Sequence, residues 1–100
     1  MAERIHPVTV VGYTGTLEAL GRDLARLRYD AGAVVLKAYA SEIAWQMRED
    51  RTRGRQKLAG LLFDFYQGLM HAHESANTVW KLCRPHMQDE LKETPEIDRR

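Results

Sequence analysis

Cysteine is nearly absent. Cys83 stands alone among 100 residues, so no internal disulfide can form and packing must hold the fold. One free thiol fits a reducing compartment, and a cytoplasmic location is the expectation. Long apolar runs are missing as well: nothing approaches the roughly 20 residues that cross a bilayer, so no membrane partner is expected. The opening MAERIHPVTVVGYTG has no apolar stretch behind a basic head and does not read as a signal peptide. Charge of one sign is lacking. The formal net charge of +1 gives no global attraction to nucleic acid or membrane, and any such role must rest on a local cluster.

Catalytic and metal-binding patterns are equally sparse. Ser75 stands near the histidines without a base-and-orienter arrangement. His71 and His73 are two apart on a helix and point to opposite sides, so they cannot chelate one ion together. No Glu-x-x-His pair of the di-iron type occurs. Cys83 and His86 stand at a zinc-like spacing, but Pro85 lies between them and no second pair follows. The run Val10-Val11-Gly12-Tyr13-Thr14-Gly15-Thr16-Leu17 has the outline of a phosphate-binding turn, yet Glu18 stands near where the third glycine is needed and no P-loop lysine follows. The expectation is a non-enzymatic chain without metal or cofactor.

What remains is helical periodicity. Hydrophobic residues make up 44% of the chain and charged ones 29%, the balance of a globular domain. Leu58, Leu62, Phe65, Leu69, Ala72, Ala76, Val79 and Cys83 alternate steps of four and three, the spacing that keeps one side of a helix against a partner. Leu17, Leu20, Leu24, Leu27, Ala31, Val34 and Ala38 repeat in the same way. These spacings predict two helices, over residues 16–50 and 56–84. Thr16 is the candidate N-cap of the first, with Glu18 near its positive end. Arg26 and Asp30 fall at i, i+4 on its outer face. The segment 49–55 is the candidate turn, with Gly54 free to take a left-handed conformation, and Pro85 ends the second helix.

The predicted fold is all-α: an antiparallel two-helix hairpin with a short extended N-terminal arm, pairing with a second chain into a four-helix bundle. Residues 1–15 form the arm, 16–91 the hairpin domain, and 92–100 a loose polar tail. Pairing about residue 52 sets Ala31 against Ala72 and Ala38 against Phe65. The second chain enters because apolar surface is left over beside the seam. The expected oligomer interface comprises Val35, Leu36, Tyr39, Ile43, Met47, Phe63, Tyr66, His73 and Trp80.

The functional expectation is therefore a small homo-oligomeric helical protein acting through protein–protein interaction, as an adaptor, assembly factor or regulator. Its partners would be copies of itself and another protein. The alternative is nucleic-acid binding by the turn. Arg48, Arg51, Arg53, Arg55 and Lys57 stand there against Glu49 and Asp50, five cations to two carboxylates. No aromatic lies within that cluster to stack a base. A minor alternative is a small-ligand or metal site around His73, opposite the small residues Ala31-Gly32-Ala33.

Overall fold

A computed structural model describes residues 6–87. They form three α-helices and no strand. These are α1 (Leu17–Ala25), α2 (Tyr29–Thr52) and α3 (Gln56–Cys83), followed by a single 3-10 turn over Arg84–Met87. This corrects the two-helix hairpin: the expected first helix is two helices, and the described part of the arm, from His6 onward, is turns and coil rather than strand. Three helices in one chain replace the four-helix bundle and homodimer drawn from the sequence. The rest of the arm and the expected tail over 92–100 lie outside the described residues.

Local chemistry explains the ends of these helices. The Thr16 hydroxyl accepts from the Ala19 amide at 3.0 Å and caps α1. The last turn of α1 tightens, with the Arg26 amide donating to both Arg22 and Asp23 carbonyls. Arg28 then takes an extended conformation (φ −53°, ψ 145°) that a helix cannot continue through. Its guanidinium grips Asp30, with Nε and Nη2 donating to Oδ1 and Oδ2 at 2.8 and 3.0 Å, while Asp30 Oδ1 also accepts the Ala31 amide at 2.9 Å. Asp30 thus serves the exposed amides at the start of α2. In the continuous helix read from the sequence it would have paired with Arg26. Between α2 and α3 the chain reverses at Gly54, whose φ of +81° is the left-handed conformation that glycine takes without steric cost.

The core lies between α2 and α3, which run antiparallel. Its buried residues are Ala33, Ala40, Ile43 and Met47 from α2 and Ala59 from α3. The register is fixed by three cross-helix pairs. The Tyr39 and Phe65 rings meet edge to face with centroids 5.8 Å apart. His73 Nδ1 lies 2.8 Å from the Ala33 carbonyl oxygen. The Arg28 guanidinium lies over the Trp80 ring, 5.0 Å from its centroid.

This contact line is not the expected one. On α2 it follows Ala33, Ala40, Ile43 and Met47, whereas Val34 and Ala38 of the predicted seam are exposed. On α3 the predicted seam holds in part: Leu62, Leu69, Ala72, Ala76 and Cys83 are half-buried, but Leu58, Phe65 and Val79 are exposed, and Ala59, Tyr66, His73 and Trp80 join the buried side instead. On α2 the cause is the break at 26–28. A helix that stops and restarts resets its angular phase, so spacing carried over from α1 misplaces the face of α2 by a fraction of a turn.

Candidate functional site

The N-terminal segment reaches the α2–α3 turn, where His6 borders a hollow of about 290 Å³ with Trp45, Gln46 and Leu58. Gly12 makes a turn at φ +88°. Gly15 passes so close to the Tyr13 ring that a Cβ there would sit 2.9 Å from it. The Tyr13 hydroxyl donates to Asp23 Oδ2 at 2.8 Å, bracing the arm against α1, and that bond to a carboxylate raises the phenol above its usual pKa. The glycine run read as a phosphate-turn outline therefore serves to fold Tyr13 back, and the Thr16 hydroxyl already occupies the α1 amide it caps.

Helix α1 is strongly amphipathic but contributes no buried residue. Leu17, Leu24 and Leu27 remain well exposed, and Leu20 is half-buried. A cleft of about 350 Å³ opens where the end of α1 faces the helix pair. Leu24, Ala25 and Leu27 form one wall. Gly32, Val35, Leu36 and Tyr39 of α2, with Tyr29 at its start, form the second, and Leu69 and Ala76 of α3 complete the lining. No lining residue carries a charge, and the only side-chain polar atoms are the two tyrosine hydroxyls. Sequence spacing did not reveal this cleft, because it exists only once α1 is a separate helix.

Beyond Tyr39, toward the turn, the same side of the molecule is an open apolar patch. Leu58, Leu61 and Phe65 share one face of α3 at i, i+3 and i+7. Leu61 is 61% exposed, and the Phe65 ring meets that of Tyr39 edge to face. From the spacing Leu58 and Phe65 belong to the seam, and Leu61 to the surplus apolar surface beside it. Conversely, Ile43 and Met47 of the expected oligomer interface are buried inside this chain. Tyr66, His73 and Trp80 line the α2–α3 contact, Val35 and Leu36 line the cleft, and only Tyr39 and Phe63 are exposed. Phe63 stacks on Tyr66 at 6.4 Å between centroids.

His73 is a strut between helices. A carbonyl can only accept, so Nδ1 carries the proton toward Ala33 and Nε2 accepts from the Asn77 amide at 3.3 Å. Both ring nitrogens are thus engaged within the chain. Among the described residues, no group of three or more His, Cys, Asp and Glu side chains is placed to hold a metal. At the turn, Arg55 Nη1 lies 3.1 Å from Asp50 Oδ1, and Arg53 Nη2 lies 3.7 Å from Glu49 Oε1. Two of the five cations are thereby matched by carboxylates, while Arg48, Arg51 and Lys57 are exposed.

The Arg28–Asp30 fork gives a pH signature. The hydrogen bonds from Arg28, aided by its charge and by the Ala31 amide, lower the Asp30 carboxyl below its ordinary pKa of 3.8 against the opposing effect of desolvation. A depressed folded pKa means the stabilisation is complete above 3.8 and is lost as pH falls through the lower folded value. Carboxyl carbon NMR should place the Asp30 midpoint below 3.8 and move it upward in Arg28→Ala. An unmoved midpoint would show that the fork does not hold in solution.

The molecule so described is a small all-α protein with an antiparallel helix pair, a third amphipathic helix lying lightly over it, and an apolar side open to solvent. No described helix is long and apolar enough to cross a membrane. Comparison with protein-family models, with curated proteins and with solved structures finds no match.

Proposed function

We propose that this chain is a non-enzymatic interaction protein that binds another protein through the apolar patch formed by Tyr39, Leu58, Leu61 and Phe65. One observation carries the reading: two aromatic and two aliphatic side chains stand together and exposed on one side of the helix pair, two of them joined edge to face. Isolated exposed leucines are ordinary on protein surfaces, but a contiguous patch with aromatic anchors has the composition of an interface core. A helix of the partner laid along α3 would cover it, reading the i, i+3, i+7 spacing. A chain with a single cysteine suits the reducing cytoplasm as the place of action. The reading does not call on the basic turn, where two of the five cations, Arg53 and Arg55, face neighbouring carboxylates.

Site-specific photocross-linking tests it. A benzophenone amino acid at Leu61 should give discrete protein adducts in cells, and the same group at exposed Glu74 should not. Leu61→Glu with Phe65→Glu should abolish the interaction while leaving helicity unchanged. If an adduct has twice the mass of the chain, and sedimentation of the purified protein shows concentration dependence that the double variant removes, the partner is a second copy. Equal adducts at Leu61 and Glu74, or none, would overturn the proposal.

A further inference from the structure

The cleft beneath α1 differs from the open patch in being walled by three helices, and its chemistry is selective. Its lining offers hydrocarbon and two tyrosine hydroxyls but no charge, so an ionic group would lose its hydration there without a partner. Its size is informative. An apolar protein cavity of about 150 Å³ takes up benzene, and this cleft is about 350 Å³, within the range of small-molecule sites. Room is created by Gly32, where an added Cβ would meet nothing within 4 Å. The wall across from it is Leu24 and Leu27, whose side chains remain more than a third exposed. A ligand in the cleft would cover these leucines and seat α1 on the helix pair.

We infer that this cleft is a binding site for an uncharged hydrocarbon group of about ten carbons, twice the scale of the benzene-sized cavity. Such a group comes from two kinds of molecule, the chain of an aliphatic amphiphile or a two-ring aromatic. The cleft is open on one side, so the polar end of an amphiphile stays in solvent while its hydrocarbon lies against Val35, Leu36 and Leu24. Gly32 is the gate on size. A leucine at that position would occupy the same space, and because leucine favours the helix over glycine it would do so without weakening α2.

The test is titration of the full chain with N-phenyl-1-naphthylamine, a neutral fluorophore, followed by displacement with 1-decanol in one arm and 2-naphthol in the other. We expect saturable one-to-one binding, at least tenfold weaker in Gly32→Leu and unchanged in Val34→Ala, a substitution on an exposed residue outside the cleft lining. Displacement by decanol alone identifies an aliphatic ligand, and by naphthol alone or both an aromatic-tolerant site. If Gly32→Leu loses its helical circular dichroism, Gly32→Ala is read instead, with at least threefold weakening expected. Absence of saturable binding, equal affinity in wild type and the Gly32 variant, or displacement by neither competitor would overturn the inference.

Discussion

Replacing Ile43 with alanine should lower the unfolding free energy by about 2–4 kcal/mol, the range for aliphatic truncation at a buried site. Among the described residues three of the five buried ones, Ala33, Ala40 and Ala59, are alanines, which leaves Ile43 and Met47 as the large side chains that α2 and α3 bury. A cavity there has few large neighbours able to collapse into it. Domains of this size are held by only about 5–15 kcal/mol, so the loss should also lower the urea midpoint markedly without changing the slope. Val34→Ala is the matched control. Val34 is 68% exposed, and alanine is the better helix former, so its effect should stay within about 0.5 kcal/mol. The pair decides which face of α2 meets α3. Equal losses at both positions, or a larger one at Val34, would show that α2 is turned toward the phase read from the leucine spacing.

That contrast locates what the sequence made legible. The α1 cap at Thr16, the reversal at Gly54 and the stop near Pro85 depend on a few adjacent residues, and each is found where its chemistry put it. The break at 26–28 contains neither glycine nor proline. Its mark is the Arg28–Asp30 fork, while the steps of four and three through Leu27, Ala31 and Val34 run across it without interruption. On α3 two registers compete. Both contain Leu62, Leu69, Ala76 and Cys83, and they differ in adding Leu58, Phe65, Ala72 and Val79 or Ala59, Tyr66, His73 and Trp80. Hydrophobicity favours the first set. The fold takes the second, because a small residue at Ala59 admits the neighbouring backbone and because His73 finds the Ala33 carbonyl. A hydrogen bond between residues 40 apart leaves no trace in local spacing. This is why Ile43, Met47, Tyr66, His73 and Trp80, assigned to a partner, lie within the chain, while Val34, Leu58, Phe65 and Val79, assigned to its own seam, are exposed. It is also why the cleft, which needs α1 as a separate element, could not be anticipated.

The close approach of the two helices makes a second substitution severe. Ala40 is 0% exposed and Ala59 1%, so no space is available for further carbon at the contact. Ala40→Leu adds three carbons at a position closed to solvent in the helix pair and should cost about 3 kcal/mol, at the upper end for overpacking. Helix propensity does not contribute, because leucine ranks close behind alanine. The helices must separate, and the separation should be felt at the Ala33 carbonyl, two turns away, where the His73 bond holds the pair. Loss of protection for the His73 Nδ1 proton in NMR, together with the fall in stability, would report that movement. Ala38→Leu makes the same chemical change two residues earlier, on an exposed position that the spacing alone had set inside the seam, and it should be nearly neutral. If Ala38→Leu proves the damaging one, α2 meets α3 on a different face, and the apolar patch and the cleft both move with it.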